Sequence, residues 1–231
     1  MAIDPNLALG GYVSFSPMHD HTMMMCTMVL LQSEAEPVIE KLIANNIEIT
    51  GLHNHLSGEN PRIMYLHCNA HGDALKLAKG FKSALDVTKT PLIHQAVLPK
   101  SNINWQNVES ILGFKGQKQG TSIIFNIPRA DKIYEMDTEI PLLMGVGQSI
   151  NMSKVGNKVI SIGDFVVTSE EVNPVVKALT NNGIRVTSIH NHMLNEEPRT
   201  FCLHYWGYDN AEKLAKGLRA ALDKINIVKT H

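Results

Sequence analysis

Leu52-His53-Asn54-His55 returns as Ile189-His190-Asn191-His192, and this recurrence decides how the whole chain is read. The displacement from His53 to His190 is 137 residues. Carried outward without a gap, the same shift sets Glu59 on Glu196, Pro61-Arg62 on Pro198-Arg199, Leu66-His67 on Leu203-His204, and Leu77-Ala78-Lys79-Gly80 on Leu214-Ala215-Lys216-Gly217. Ala84-Leu85-Asp86 then meets Ala221-Leu222-Asp223, while upstream Pro37-Val38 meets Pro174-Val175 and Ile47 meets Ile184. One register held over so many positions marks a tandem duplication, whose period governs every element read afterwards.

Each copy reads as the same run of elements. Thr22 to Leu31 is apolar with polar flanks, as a buried strand should be, and its counterpart Lys158 to Val167 is rich in Val and Ile. Ser33-Glu34-Ala35-Glu36 and Thr168-Ser169-Glu170-Glu171 have the spacing of a capping box, so each opens a helix. That helix is predicted to stop near Asn46 in the first copy and Gly183 in the second, because Asn and Gly tolerate the left-handed backbone beyond a helix end. Ile47 to Leu56 and Ile63 to Ala70 form a predicted β-hairpin with Ser57-Gly58-Glu59-Asn60-Pro61 in its loop. A second helix is expected from about Asp73 to Asp86, where Leu77, Phe81 and Ala84-Leu85 share one stripe, as do Leu214, Leu218 and Ala221-Leu222. Gly80 and Gly217 cost this helix roughly 1 kcal/mol each relative to Ala. They imply close packing of its backbone against the sheet or a neighbouring helix.

An early strand, Tyr12 to Ser16 or Ser149 to Ser153, completes the order ββαββα. The fold class is α+β, as two tandem homologous units, each an antiparallel sheet with two helices on one face. Residues 1–92 form the first unit and 93–231 the second. The second has an additional front end: a short helix from Asn104 to Gly113 with Asn104 as its cap, a Gly-rich stretch to Gly120, and a strand from Thr121 to Ile127. The first unit is expected to lack the corresponding N-terminal part, since its equivalent would fall before Met1. A sheet edge left bare there makes a homo-oligomer an expectation.

Composition excludes several classes. Lys plus Arg at 21 against Asp plus Glu at 22 leaves no electrostatic footprint for a nucleic-acid partner. A hydrophobic share of 44% is ordinary for a globular protein, and no apolar run approaches the ~18 residues of a transmembrane segment. Cys26, Cys68 and Cys202 are odd in number and scattered through apolar strand-like runs, so they read as buried small hydrophobes and not as a disulfide framework.

The repeated polar residues are the candidate site. In a strand, His53 and His55 would share one face and Asn54 the other. His67 on the adjoining strand joins them only if the register pairs it with His53 or a same-parity neighbour. Three neutral imidazoles with one open position suit zinc or another divalent metal, with bonds of about 2.0–2.1 Å. Glu59 can be a fourth ligand or a base towards bound water. His190, His192, His204 and Glu196 repeat the set. Arg62 and Arg199 can clamp a carboxylate or phosphate bidentately, with Asn54 and Asn191 beside them as ligand-binding candidates. Against this stands a plainer alternative, in which the histidines are hydrogen-bonded core groups and each Glu pairs with its Arg to hold the hairpin loop. His19 and His21 have metal-like spacing too, but the second copy has Gly156 and Lys158 there, so they read as loop residues.

These strings resemble the LppY/LpqO family, a bacterial domain of unknown function that includes lipoprotein-like members. The resemblance rests on Leu-His-Asn-His, Glu-x-Pro-Arg, Leu203-His204-Tyr205-Trp206-Gly207 and the run Leu214 to Asp223, and it covers nearly the whole chain. It implies the tandem arrangement and export, and no established activity. The first copy departs from it with Cys68-Asn69 where the second has Tyr205-Trp206. Two functions stay open. One is a non-catalytic protein binding a metal ion or small molecule, with one His-x-His…Glu…His site per repeat. The other is a zinc-dependent hydrolase with Glu59 or Glu196 as general base.

Overall fold

The computed structural model describes residues 7, 9–56, 58–91 and 103–229. Two compact units emerge, one made of Gly10–Ala96 with Asn191–Asn195, the other built on Val97–His190 and Glu196–His231. Ser57 of the expected hairpin loop lies outside the described residues.

In the first unit the order is β1 (Tyr12–Pro17), β2 (Thr22–Leu31), α1 (Ala35–Ala44), β3 (Glu48–His53), β4 (Ile63–Gly72) and α2 (Ala74–Leu85). The antiparallel sheet runs β1-β2-β4-β3. Met24, Met28 and Leu30 of β2, Leu66 of β4, Val38 and Leu42 of α1, and Leu77 and Phe81 of α2 make one apolar core. Both helices therefore cover the same face of the sheet. By strand alternation Tyr65, His67 and Asn69 of β4 point to the other face.

The second unit comprises α3 (Trp105–Leu112), β5 (Gln117–Gln119), β6 (Ser122–Ile127), β7 (Tyr134–Glu135), β8 (Thr138–Glu139), β9 (Gln148–Val155), β10 (Lys158–Val167), α4 (Ser169–Asn181), β11 (Arg185–His190), β12 (Phe201–Asp209) and α5 (Ala211–Leu222). Its main sheet runs β11-β12-β10-β9-β6-β5, with β7 and β8 as a separate small pair. Strand β5 was hidden from sequence reading because Gln-Lys-Gln is polar and wholly exposed. Phe125, Phe165, Leu203, Tyr205, Leu179 and Leu218 belong to one core beneath α3, α4 and α5.

Helix boundaries follow local chemistry. Asn104 accepts from the Gln106 N–H and Gly113 takes φ 80 at the two ends of α3. Past α1 and α4 the chain turns through Asn46 at φ 56 and Gly183 at φ 72, so two different residues adopt the same left-handed backbone. A Cβ on Gly80 would sit 2.8 Å from Asn45 Cβ, and one on Gly217 would sit 2.8 Å from Asn182 Cβ. The glycines thus admit the end of the neighbouring helix, which accounts for their cost in propensity.

Two expectations need correction. The first helix is not opened by Ser33 and Glu36: a 3-10 turn, Gln32–Glu34, precedes α1, and Glu34 Oε2 accepts from the Leu31 N–H at 2.9 Å. Glu34 is the equivalent of Glu171, which closes the box on Thr168 as expected. The Ser33 spacing was a coincidence two residues downstream of the true register. Each glutamate also accepts, at 2.8 Å, from a backbone N–H beyond the second helix, Lys89 in one copy and Asn226 in the other.

Cysteine is the second correction. Cys26 and Cys68 face one another across β2 and β4 with Cα atoms 5.1 Å apart and form a disulfide, while Cys202 is free and buried. Spacing along the chain carries no sign of this, because the pairing is made by strand register. In the second unit Gly163 and Tyr205 occupy the equivalent pair, and a Cβ on Gly163 would lie 2.8 Å from the Tyr205 hydroxyl. Aromatic volume there replaces the covalent link. With its ends 42 positions apart in sequence, the link should contribute about 4 kcal/mol by restricting the unfolded chain. Urea denaturation with and without a dithiol reductant checks this, and coincident transitions would remove the stabilising role.

Candidate metal centre

Strand β3 carries one extra residue relative to β4. Ile49 pairs with Cys68 but Gly51 pairs with His67, leaving Thr50 as a bulge. Had every residue after Ile49 kept a partner in turn, His53 would oppose Met64, which packs against the core. With the bulge, His53 opposes Tyr65 and shares the face of His67. The second unit has the same shift between Val186 and Ser188, which places Ser188 opposite His204.

The outcome is a close imidazole pair in each unit. His53 Nε2 and His67 Nε2 are 2.8 Å apart, and His190 Nε2 and His204 Nε2 are 2.7 Å apart. Gly51 makes room for the first pair, since a Cβ there would come within 3.1 Å of His67 Cδ2. The remaining nitrogen of His67, Nδ1, lies 3.0 Å from Thr27 Oγ1 on the opposing β2 residue. A proton held between Nδ1 and that hydroxyl leaves the Nε2 lone pair directed at His53.

The expectation that His53 and His55 share a strand face is corrected. β3 ends at His53 and β11 at His190, so His55 and His192 lie in the following loops. The reason is visible at Asn54, whose amide donates to the Ile63 carbonyl at 2.5 Å and whose Oδ1 accepts from Arg62 at 3.2 Å. Those bonds turn the chain out of the ladder. His55 instead stacks on Tyr65, with ring centroids 3.3 Å apart and planes 9° from parallel. Burial, with the Glu59 charge second, pushes the Tyr65 phenol well above its ordinary range.

His192 falls in Asn191–Asn195, within the compact unit of His53 and His67. Its ring centroid is 3.9 Å from that of His67 and 6.5 Å from that of His53. One nitrogen from each of His53, His67 and His192 lies within 4.8 Å of the other two, a set able to hold a metal ion. Closing on a tetrahedral ion with bonds of about 2.0–2.1 Å would require the two paired Nε2 atoms to part by about 0.5 Å. Small side-chain rotations suffice for that.

The carboxylates and guanidiniums brace loops. Glu59 Oε1 accepts from the Ile63 N–H at 3.2 Å, and Glu196 Oε1 accepts from the Thr200 N–H at 2.9 Å. Arg199 pairs with Glu196 at 3.2 Å. Burial raises the pKa of Glu59 against the opposing pull of the Ile63 N–H and the Arg62 charge. Asn54 and Arg62 also line a cavity of about 640 Å³ between α1 and the β3 edge, with Glu36, Ile39 and Leu52 among its other walls. Asn191 lies beside the histidine pair: its carbonyl oxygen would be 3.2 Å from a Cβ at Gly51.

Sequence reading missed Thr27, Tyr65 and Asp164. Asp164 is the equivalent of Thr27 and stands opposite His204 on β10. Burial pushes its carboxyl up to about 7. A single acid amid Ile-Ser-Ile-Gly and Phe-Val-Val marks this position in the sequence, because a carboxylate in a buried strand is costly.

Residues 1–87 and 106–224 match the family described as Domain of Unknown Function (DUF1259). The chain belongs to that family. The two matched regions agree with the duplicated architecture of this DUF1259 chain. Comparison with curated proteins gave no match. Among solved structures, the regulatory subunit of aspartate kinase from Thermus thermophilus is 12% identical, covering 94% of this chain and 97% of its own, with a TM-score of 0.25. EtuB from Clostridium kluyveri is 10% identical, covering 93% and 85%, with a TM-score of 0.26. A trimeric bacterial microcompartment shell protein, PduB, is 12% identical over 95% and 91%, with a TM-score of 0.25. Likeness at this level assigns neither fold nor function. No helix among the described residues is long and apolar enough to cross a membrane.

Proposed function

We propose that this DUF1259 chain is a non-catalytic metal-binding protein whose principal centre is made by His53, His67 and His192. The observation that carries the reading is the convergence of three imidazole nitrogens within 4.8 Å inside one compact unit. Three neutral imidazoles match zinc or another divalent transition metal. His190 and His204 form a second, sparser donor pair. The positions of Glu59 and Glu196 favour binding over hydrolysis, since each directs a carboxylate oxygen at a backbone N–H of its own loop. Small-molecule binding through Asn54 and Arg62 is the secondary form of the same reading, supported by their shared cavity.

Elemental analysis of protein purified without a histidine tag tests the metal. About one equivalent of zinc or a similar ion per chain is expected, and a content near zero that added zinc leaves unchanged would sink the proposal. Thr27→Val should weaken zinc about 10–100-fold by releasing His67 from its outer-shell partner. A competition titration against a coloured chelator reads that loss, and identical curves would deny Thr27 the role. The LppY/LpqO resemblance, with the export it implies, belongs to this reading. So does self-association along β1, the sheet's outer strand, which light scattering would refute by showing a strict monomer.

A further inference from the structure

The first unit holds another pair of imidazoles, near the Thr22–Gly72 end of the β2–β4 ladder and four residues beyond His67 on β4. Met18 to His21 is a tight turn closed by a Met18 N–H to His21 carbonyl bond of 2.8 Å. It delivers His21 to the start of β2, where Thr22 pairs with Gly72 and Met23 with His71. His21 Nε2 and His71 Nδ1 are 3.2 Å apart, and the rings meet edge to face at 63° with centroids 5.3 Å apart. Asp20 Oδ1 lies 2.6 Å from His21 Nδ1.

Each distance has a chemical consequence. A carboxylate on Nδ1 fixes the proton there and turns Nε2 into a lone-pair donor, which is how outer-shell carboxylates orient metal-bound histidines. Two nitrogens 3.2 Å apart subtend an angle of about 100° at an ion bonded to both at about 2.05 Å, close to tetrahedral. His21 is 29% exposed and Asp20 is 87% exposed, so solvent can fill the remaining coordination positions.

Comparison of the two copies adds an independent argument. Shifted by the repeat, His21 becomes Lys158 and His71 becomes Tyr208. Lys158 Nζ sits 5.2 Å from the Tyr208 ring centroid. The second unit therefore brings a built-in cation to this place in the fold. The first unit has two nitrogen donors and a carboxylate instead, a set that gains by receiving one.

We propose that His21 and His71, oriented by Asp20, form a separate solvent-open site for a divalent transition metal ion, distinct from the three-histidine centre. Copper(II) is the preferred probe, because it stands highest among these ions on nitrogen ligands and reports its donors spectroscopically. The full untagged chain is titrated with copper(II) after His53, His67, His190 and His204 have been replaced by Ala, so that neither the principal centre nor the His190–His204 pair contributes to this measurement. Electron paramagnetic resonance is expected to show a bound ion with two nitrogen donors. Adding His71→Ala should abolish that signal, and Asp20→Asn should weaken binding about 10-fold. If His71→Ala unsettles the fold by circular dichroism, His21→Asn serves as the second test with the same expected loss. A nitrogen-bound signal that survives both His71→Ala and His21→Asn, or no bound copper(II) in the parent, would overturn the proposal.

Discussion

With free zinc at 1,000 times its dissociation constant, the wild-type chain is expected to gain about 4 kcal/mol of unfolding free energy over its metal-free form. The gain arises because three converging imidazoles exist only in the folded unit, so the ion binds the native state alone. Replacing His53 and His67 together by Ala should erase it while leaving the metal-free stabilities comparable. Chemical denaturation of both proteins, with and without zinc, separates this from simple damage to the fold. The increment should shrink on acidification, since protons and metal compete for the same nitrogens. An equal zinc response in wild type and double variant would mean that the His53–His67 pair, though 2.8 Å apart, is an ordinary hydrogen bond.

A second large effect is expected at Arg129. Its guanidinium is 2% exposed and donates to Glu171 at 2.6 and 3.2 Å, to Asp131 at 2.5 Å and to the Val166 carbonyl at 2.8 Å. Arg129→Ala would leave two carboxylates without their cation, at a cost of about 3 kcal/mol. That is the lower end for a buried pair, because Asp131 is 35% exposed.

The pH dependence has a definite sign. Burial alone would raise Glu171 and Asp131. For Glu171, the Arg129 hydrogen bond, the Thr168 and Asn226 N–H groups and the Arg129 charge reverse this, and for Asp131 the Arg129 and Asn226 hydrogen bonds and the Arg129 charge do so. Both end below their ordinary values of 4.5 and 3.8. Depressed carboxylates contribute stability that is present above those values and is lost as pH falls through the folded-state ones. Wild type should therefore show an acid limb below about pH 4.5 that is shallower in Arg129→Ala. A variant within 1 kcal/mol of wild type would show that the cluster is not stabilising.

Sequence reading reached furthest where the controlling physics is local. The ends of β2 and β10, the stop of α1 at Asn46 and of α4 near Gly183, the Thr168 box and the Asn104 cap each depend on a few adjacent residues. It fell short where residues meet across strands. Cys26 and Cys68 are linked through register, Thr27 reaches His67 from a strand 40 residues away, and Glu171 meets a guanidinium 42 residues before it.

The duplication, the α+β order of each copy and the identity of the histidine-bearing strings were determined by the sequence alone, through a fixed repeat and hydrophobic periodicity. Tertiary structure decided which imidazoles meet. One extra residue, Thr50, turns His53 from the core face to the face of His67, and a chain segment from the second copy brings His192 to the same unit. Side chains in a strand change faces with every residue, so a single bulge, set by cross-strand hydrogen bonds and invisible in composition, reassigns a donor from core to site.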